Sequence, residues 1–280
     1  MIDKSPQLVS ILLPTYNGSK RIEGAIRSVI GQTYTNWELL VIDDGSIDKT
    51  AEIVDNFTKN DTRIKYIKNE FNLGIQKTLN YGLRESKGEY IARIDDDDIW
   101  CDKEKLNKQV DFLNTNPKCV LVGTGVIIVD KDNKELLCYL VPEHDKEIRS
   151  QILGKNCFVH SSVLFRKDIT IKISGYSESI NTRHIEDYDL WLRLGLEGEF
   201  ANLPFYSVRF TLHDESISSQ NKVEQYKKIL SLIKRFQGKY PNYIKALIRS
   251  VARLIIYGFL AKLPLQFSFE HMLKLYKKYL

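Results

Sequence analysis

Four consecutive aspartates, Asp95 to Asp98, stand in the segment IDDDDIW directly after an apolar run. In an extended chain, residues i and i+2 point to the same side, so Asp95 and Asp97 can converge while Asp96 faces the other way. Carboxylates this close repel each other unless a cation or hydrogen-bond donors offset their charge. Two hard oxygen ligands on one side are typical of Mg²⁺ or Mn²⁺ bound to a diphosphate. The segment therefore predicts a metal site, with a solvated acidic loop as the alternative.

The elements that would position these aspartates follow a repeating strand and helix pattern over the first 130 residues, which is typical of a largely parallel sheet. Ligands of open α/β sheets bind outside the carboxyl ends of the strands. Residues 43–46 and 95–98 are polar and each follows a predicted strand, so we expect them to form one site. The predicted strands are residues 8–14, 38–43, 63–67 and 89–94, and a helix is predicted at about 74–85.

The pattern becomes less regular after residue 119. It predicts strands within residues 119–130, 136–141, 160–167 and 205–212, and a helix at about 187–197. After residue 219 the pattern is mainly helical, with a break near 238–242, where Gly and Pro occur.

Composition excludes several classes of protein. With 43% hydrophobic and 28% charged residues, the 280-residue chain is predicted to be globular. It has neither signal-peptide features nor an uncharged apolar run of about 18 residues, which favours the cytoplasm. The four cysteines lack paired spacing and are expected to be reduced thiols. P-loop and dinucleotide-binding fingerprints are absent, so a phosphate ligand would have to be held by a metal.

Charge is distributed unevenly along the chain. Residues 221–280 hold 13 Lys or Arg and two acids, a net charge of +11, whereas the other 220 residues carry a net charge of −6. Because the basic residues alternate with aliphatic ones at helical spacing, the segment predicts helices on an anionic membrane interface, peripheral to the inner face of the cytoplasmic membrane. The alternative is a helical subdomain that packs its apolar stripe on the core. Nucleic-acid binding is disfavoured because no recognised module is present.

Four motifs occur in order: VSILLPTYNG, VIDDGSIDKT, the run from NLGIQKTLNYG to IDDDDIW, and EDYDLWLRL. Together they resemble the family 2 glycosyltransferases over roughly residues 8–219. The resemblance implies the GT-A fold, an α/β fold with a central, mostly parallel mixed sheet flanked by helices, with a helical C-terminal extension. It implies a catalytic domain at 1–219, with a nucleotide-binding half at 1–130 and an acceptor-binding half at 131–219, followed by a basic helical extension at 220–280.

The resemblance also implies a site for a nucleotide-diphosphate sugar. In the family, the base lies against the backbone at the positions of Pro14 and Thr15 and against the ring of Tyr16, and an aspartate at the position of Asp44 accepts a hydrogen bond from it. The residues allow other roles as well. Tyr16 could be a packed core aromatic, and Asp44 could only shape a turn, with Ser46 as the N-cap of the next helix.

The metal site is implied in the same way. Asp95 would approach the ribose or the metal, and Asp97 would ligate the Mn²⁺ or Mg²⁺ ion that bridges the diphosphate. Asp96 is assigned to substrate binding. Relatives often have a small residue at this position, so its carboxylate leaves open which oxygen atoms bind the metal. His213 matches a histidine that reaches the metal or the leaving diphosphate, with an ordinary hydrogen-bonded histidine as the alternative.

The Glu186-Asp187 pair matches the position of the inverting base. Asp187 would take a proton from the acceptor hydroxyl, and Glu186 is assigned to substrate binding. The alternative is that Asp187 is only a helix-start carboxylate. Because Asp187 opens a predicted helix, the positive helix end is expected to favour its ionised form and to lower its basicity.

These features predict an inverting, metal-dependent enzyme that moves one sugar, most favourably from a UDP-sugar, to a saccharide or lipid-linked acceptor of cell-surface polysaccharide or glycolipid. Single transfer is favoured because the chain lacks the Q-x-x-R-W motif and the membrane spans of processive relatives. The alternatives are a sugar nucleotidyltransferase, whose glycine-rich amino-terminal signature is not found, and a non-catalytic sugar-nucleotide-binding or scaffold protein.

Overall fold

The computed structural model describes residues 6–130, 132–211 and 222–260. Within them, the strands are β1 (Val9–Thr15), β2 (Trp37–Asp43), β3 (Ile64–Lys68), β4 (Tyr90–Arg93), β5 (Ile99–Trp100), β6 (Cys119–Val129), β7 (Glu135–Tyr139), β8 (Leu164–Arg166) and β9 (Glu199–Thr211). The helices are α1 (Ile22–Ile30), α2 (Thr50–Thr58), α3 (Ile75–Glu85), α4 (Lys105–Thr115), α5 (Asp145–Ile152), α6 (Lys167–Lys172), α7 (Glu186–Leu194), α8 (Lys222–Arg235) and α9 (Tyr243–Leu260). The four strands and the helix predicted for the first half are confirmed to within about two residues.

The strands form one mixed sheet in the order β3-β2-β1-β4-β8-β6-β9-β5, with β7 paired to β6. Strands β3, β2, β1 and β4 are parallel. In the second half, β8 runs antiparallel to β4 and β6, β5 runs antiparallel to β9, and only β6 and β9 are parallel. The predicted α/β fold with a mixed sheet is confirmed, and its parallel character is confined largely to the first half.

Both faces of the sheet are covered, which explains why β1 and β2 are buried throughout their length and mostly apolar. Alternate residues of β1 point to opposite faces: Leu12 joins one apolar cluster, and Ile11 and Leu13 join the other. Helices α3, α5, α7 and α8 contribute to the first cluster, and α1, α2 and α4 contribute to the second. Strand β1 is thus held rigidly at the centre of the molecule.

The basic extension shares the core of the catalytic part. Leu232 and Ile233 of α8 belong to the same buried cluster as Trp191 of α7. The hydroxyl of Tyr240 donates to the carbonyl of Leu192 at 2.8 Å. Packing of α8 on the core, which was one of the two alternatives for this segment, therefore occurs.

An ion pair between α7 and α8 strengthens this packing. Asp189 is fully buried, and its carboxylate pairs with Arg193 at 2.8 Å and contacts the guanidinium of Arg235. A buried carboxylate needs such partners, because an unpaired buried charge is strongly destabilising.

In the described part of the chain, no helix combines the length and apolar character required to cross a membrane.

Two matched substitutions test whether the extension is part of the core. Ile233→Ala should lower the free energy of unfolding by about 2–4 kcal/mol, because it leaves a cavity in a closed cluster. Ile248→Ala on α9, where the side chain is 64% exposed, should change it by less than about 0.5 kcal/mol. Urea denaturation followed by circular dichroism measures both, and equal losses in the two variants would contradict the packing described.

Candidate active site

The carboxyl ends of β1 and β4 meet where the order of the strands reverses. Thr15, the last residue of β1, donates from Oγ1 to Oδ2 of Asp96 at 2.6 Å. Its carbonyl accepts from the backbone N–H of Asp44, at the end of β2, at 2.8 Å. The structure thus brings together the two polar clusters expected to share a site, at the position where open α/β sheets bind their ligands.

The aspartate run forms a turn. The N–H of Asp98 donates to the carbonyl of Asp95 at 3.2 Å, and the chain returns to extended geometry only at Ile99. Residues 95–98 are therefore not extended as expected, although Asp95 and Asp97 still lie close enough for the charge of Asp95 to raise the pKa of Asp97. A turn groups the carboxylates more tightly than a strand would, because its ends approach each other.

The grouping raises the affinity of these carboxylates for protons. Burial, followed by the negative charges of Asp95 and Asp96, raises the pKa of Asp97 to about 7. Burial also raises the pKa of Asp96, although Thr15 and Arg21 partly offset this. The pKa of Asp98 lies well above its usual range because of burial and then of Asp95 and Asp97, and its carboxylate oxygens accept no well-formed hydrogen bond within the described residues. The ionised form of the cluster would therefore be stabilised by additional positive charge, and protonation relieves the same repulsion.

The donor set suits a divalent cation that is shared with a substrate. Mg²⁺ is commonly held by one or two carboxylates together with substrate phosphates. Within residues 6–130, 132–211 and 222–260, no group of three or more His, Cys, Asp or Glu side chains forms a ready-made metal cage. Asp95 and Asp97 lie close enough for the charge of Asp95 to raise the pKa of Asp97, which is the proximity that two oxygen ligands of one ion need. His213, the third predicted ligand, lies outside the described residues.

A buried arginine holds the aspartate turn in place through a hydrogen bond to its first residue. Arg93 is the last residue of β4 and is 2% exposed, and its Nη2 donates to Oδ1 of Asp95 at 2.6 Å. Ser161 holds the other side of Asp95: its hydroxyl accepts from the Asp95 N–H at 3.0 Å and donates to Oδ2 at 3.3 Å. Neither residue was expected from the sequence, although a charge inside the apolar run EYIARI was a signal for Arg93.

Asp44 shapes the loop that precedes α3. Its Oδ1 accepts from the side-chain amide of Asn69 at 2.9 Å and from the N–H of Leu73 at 2.8 Å, and its Oδ2 accepts from the N–H of Gly74 at 2.9 Å. The turn-shaping role therefore occurs. A carboxylate accepts about four hydrogen bonds, so Oδ2 keeps capacity for one more donor, such as a nucleobase N–H.

Ser46 does not cap the next helix as the alternative role of Asp44 assumed. Helix α2 begins at Thr50, whose N–H donates to Asp48, and the hydroxyl of Ser46 instead accepts from the N–H of Asn17 at 2.8 Å. Ser46 therefore ties the loop after β2 to the loop after β1.

The loop after β1 places an aromatic ring at the surface of the site. Tyr16 is 48% exposed, so the alternative that it is a packed core residue is wrong. Pro14 is buried within β1. Gly18 allows the close approach of the turn, because a Cβ atom there would lie 2.3 Å from both Oδ2 of Asp96 and Oγ1 of Thr15. Only glycine fits at this position without displacing that hydrogen bond.

Asp187 lies in the first turn of α7. Its Oδ2 accepts from the amide of Asn156 at 2.8 Å. Burial raises the pKa of Asp187, and the N–H of Tyr188 at the start of the helix lowers it, so the expected effect of the helix end occurs but is smaller than that of burial. Arg93 lowers this pKa and Asp95 raises it, which places Asp187 in the electrostatic environment of the aspartate turn. Arg93 thus acts on both groups of carboxylates.

Glu186 is buried beside Asp187, and this geometry has a local cause. Its Oε2 accepts from the N–H of His184 at 2.6 Å, and His184 has a left-handed backbone with φ of 71°. Burial and the charge of Asp187 raise the pKa of Glu186 to about 7. The carboxylate therefore stabilises the tight turn that introduces α7.

Comparison with known sequences decides the family. The sequence model for glycosyl transferase family 2 matches residues 10–174. The chain belongs to glycosyltransferase family 2. One relative is the Escherichia coli protein named UDP-Glc:alpha-D-GlcNAc-diphosphoundecaprenol beta-1,3-glucosyltransferase WfgD, which is 34% identical over 224 residues, or 79% of this chain and 83% of that protein.

Solved structures agree with the family assignment at the level of the fold. Staphylococcus aureus TarS 1–349 in complex with UDP-GlcNAc superposes with a TM-score of 0.70 at 19% identity, covering 92% of this chain and 76% of that chain. The mannosyltransferase PcManGT from Pyrobaculum calidifontis, in complex with GDP-Man and Mn²⁺, gives a TM-score of 0.65 at 16% identity, covering 94% and 79%. The chain is therefore a glycosyltransferase with the GT-A fold.

In this family 2 glycosyltransferase, a buried network supports the aspartate turn from the side of α4. Lys105 is fully buried, donates to Oε1 of Gln109 at 2.8 Å, and lies 4.0 Å from the ring centre of Trp100. The Trp100 indole donates to the carbonyl of Ser161, and the Gln109 amide donates to that of Ser162. Ser161 is the residue that holds Asp95, so the network fixes the wall of the site.

Burial lowers the pKa of Lys105 to about 7, which predicts a pH dependence of stability. Between this pKa and the ordinary value near 10.5, the unfolded chain binds more protons than the folded one, so the lysine makes unfolding more costly as pH rises. The unfolding free energy of the natural protein minus that of Lys105→Met should therefore become more positive as pH rises. The expected change is up to about 1.4 kcal/mol per pH unit from about pH 7.5 to 9.5.

Urea denaturation at several pH values measures this difference. The exposed neighbour Lys103, replaced by Met, is the matched control. A difference for Lys105→Met that does not vary with pH, or that varies equally for Lys103→Met, would contradict the buried titration.

Proposed function

We propose that this chain is an inverting, metal-dependent glycosyltransferase that moves one sugar from a UDP-sugar to a saccharide or lipid-linked acceptor in cell-surface polysaccharide or glycolipid synthesis. The observation that carries the proposal is the half-buried aspartate turn at the end of β4, which shares the charge of Arg93 with Asp187. The carboxylates of the aspartate turn are suited to the site of the leaving diphosphate, and Asp187 supplies a base.

Four residues are proposed to hold the nucleotide. The exposed ring of Tyr16 offers a stacking surface, and the backbone at Pro14 and Thr15 borders it. Asp44 has one acceptor position left on Oδ2, which suits the N–H of a uracil ring. Two likenesses support uridine: TarS was solved with UDP-GlcNAc, and the name of WfgD specifies UDP-Glc.

Asp95 and Asp97, with His213, are proposed to hold the Mn²⁺ or Mg²⁺ ion, and Asp96 is proposed to contact the donor. A bound divalent cation would offset the negative charge that develops on the departing diphosphate. The raised pKa of Asp97 supports this, because its second cause after burial is the like charge of Asp95 and Asp96, which a cation would offset. The solved complex of PcManGT with GDP-Man contains Mn²⁺.

Asp187 is proposed as the base. The acceptor hydroxyl oxygen bonds to the anomeric carbon while the bond from that carbon to the diphosphate oxygen breaks, and the hydroxyl proton passes to Asp187. Direct displacement of this kind inverts the anomeric centre and requires one base. Burial raises the pKa of Asp187 and so increases its basicity, and Asn156 fixes the orientation of its carboxylate. Glu186 is proposed to border the same pocket.

The proposed class of acceptor is based on the name of one relative. WfgD is named for transfer to a GlcNAc-diphosphoundecaprenol, a saccharide on a lipid diphosphate. An acceptor of this class would be used in the cytoplasm, at the inner face of the cytoplasmic membrane.

Calorimetric titration of UDP, GDP, dTDP and UMP, each with and without Mn²⁺, tests the donor site. UDP should bind most tightly, and its affinity should fall at least tenfold without Mn²⁺ or in Asp97→Ala, because the ion joins the carboxylate to the diphosphate. Asp55→Ala, at an exposed position of α2, is the matched control and should bind UDP normally. Binding that is indifferent to both Mn²⁺ and Asp97 would contradict the proposed metal site.

Replacement of the base separates a catalyst from a binding protein. Asp187→Asn should lower turnover by about 10²–10⁴-fold, because the amide cannot take the proton, while affinity for UDP stays within about threefold. Asp168→Asn, which changes an exposed aspartate in the first turn of α6, should leave both quantities unchanged.

Donor consumption and glycosylated product are measured together, with a panel of saccharide and lipid-linked acceptors. Product formation by Asp187→Asn at the unaltered rate would overturn the assignment of the base. Tight UDP binding without turnover by the natural sequence on any acceptor would favour a sugar-nucleotide-binding protein.

A further inference from the structure

Helix α9 carries a row of exposed apolar side chains. Its members are Ile244, Ile248, Val251, Ile255 and Phe259, each between 38% and 67% exposed. Their spacings of four, three, four and four residues place them on one stripe of the helix, about 22 Å long. Soluble proteins rarely expose so continuous an apolar surface unless it binds something. We call these five residues the α9 ridge.

The ridge cannot turn inward, because the opposite face of α9 is already packed. Ala246 and Ser250 are buried, and a Cβ atom on Gly154 would lie 3.1 Å from the Ala246 backbone. Tyr257 stacks on Tyr226 of α8, with ring centroids 4.9 Å apart. The helix is thus fixed from both α8 and the core, and the ridge faces outward.

Cations lie beside the ridge, and α9 contains no acidic residue. Lys245 and Arg249 are exposed and line a pocket of about 240 Å³ that α9 forms with the end of α5. Ser150 and Gln151 are polar residues that line the same pocket. An apolar stripe flanked by cations and a polar pocket matches the layered chemistry of an anionic bilayer surface, with acyl chains below phosphate groups.

Charge discriminates among the possible occupants of the ridge. Residues 222–260 carry nine Lys or Arg and one Glu, so a second copy docked on the same face would bring like charges together. Residues 261–280 carry four Lys and one Glu, so they also lack complementary charge. An anionic lipid surface is complementary to both the ridge and its cations.

We propose that α9 lies in the interface of an anionic membrane, with the α9 ridge among the acyl chains and Lys245 and Arg249 at the lipid phosphates. Lys245 and Arg249 stay at the level of the headgroups, so the helix lies along the surface, while Arg253 donates to the carbonyl of Gly154 and faces the core. Arg235 joins the same extension to Asp189 of α7, the helix that carries Asp187. This inference concerns membrane binding and stands apart from the chemistry of the active site.

Vesicle sedimentation of the full chain tests the ridge. The protein should bind vesicles of phosphatidylcholine with about 30% phosphatidylglycerol, and the double variant Ile248→Glu/Ile255→Glu should partition at least about tenfold more weakly, because two charges enter the apolar layer. The control Ile171→Glu/Leu196→Glu adds the same two charges at exposed positions of the catalytic part and should bind like the natural sequence. Equal binding by the ridge variant, or no binding by the natural sequence, would overturn the proposal.

A second double variant tests the contribution of the cations separately from that of the apolar ridge. Lys245→Gln/Arg249→Gln should weaken binding to the phosphatidylglycerol vesicles about tenfold and lower its sensitivity to salt, since each cation near an anionic surface contributes substantially to attachment. Binding that is unaffected by this change and by the lipid charge would contradict the assignment of the phosphate contacts.

Two further measurements separate membrane binding from dimerisation and from a defect of the donor site. Sedimentation velocity should give a monomer for both the natural sequence and the ridge variant. A dimer that is lost in Ile248→Glu/Ile255→Glu would assign the ridge to a second copy and overturn the proposal. Calorimetry should give the same UDP affinity for the ridge variant and the natural sequence, so a failure of membrane binding is distinguishable from a failure of the donor site.

Discussion

The rest of the site depends on one buried guanidinium that neutralises carboxylates from two distant parts of the chain. Arg93 donates to Asp95 at 2.6 Å and lowers the pKa values of Asp187 and Glu186 through space. Several carboxylates could not be brought this close in a buried place without such a cation, because their mutual repulsion and desolvation would oppose folding. Even with Arg93 nearby, the pKa of Asp97 is about 7, so a further positive charge would stabilise the ionised cluster.

The position of that charge cluster follows from the sheet. Strand β1 is buried on both faces, and the chain reverses its direction of strand addition beside it, which leaves a crevice at its carboxyl end. Thr15 lies at this end and makes hydrogen bonds to both Asp44 and Asp96. The nucleotide side and the metal side of the proposed site are therefore attached to the same residue of the most rigid strand.

The C-terminal extension combines two kinds of surface that the sequence presented as alternatives. Helix α8 adds Leu232 and Ile233 to the core and pairs Arg235 with the buried Asp189, while α9 directs a separate apolar face outward. A helix can do both because its 3.6-residue repeat presents different stripes to different neighbours. Packing on the core and binding to a surface are consequently compatible for this segment.

The sequence by itself determined the strands of the first half, the α/β class, and the placement of polar residues at strand ends. These follow from local periodicity and from the rule that ligands bind at the carboxyl ends of strands. Only the tertiary structure decided that Asp95 to Asp98 form a turn, that burial raises the pKa of Asp187, and that Arg93 and Ser161 hold Asp95. These features depend on groups that are far apart in the chain, such as Ser161 and Asp95, and local patterns carry no information about which distant residues will meet or how much water they will exclude.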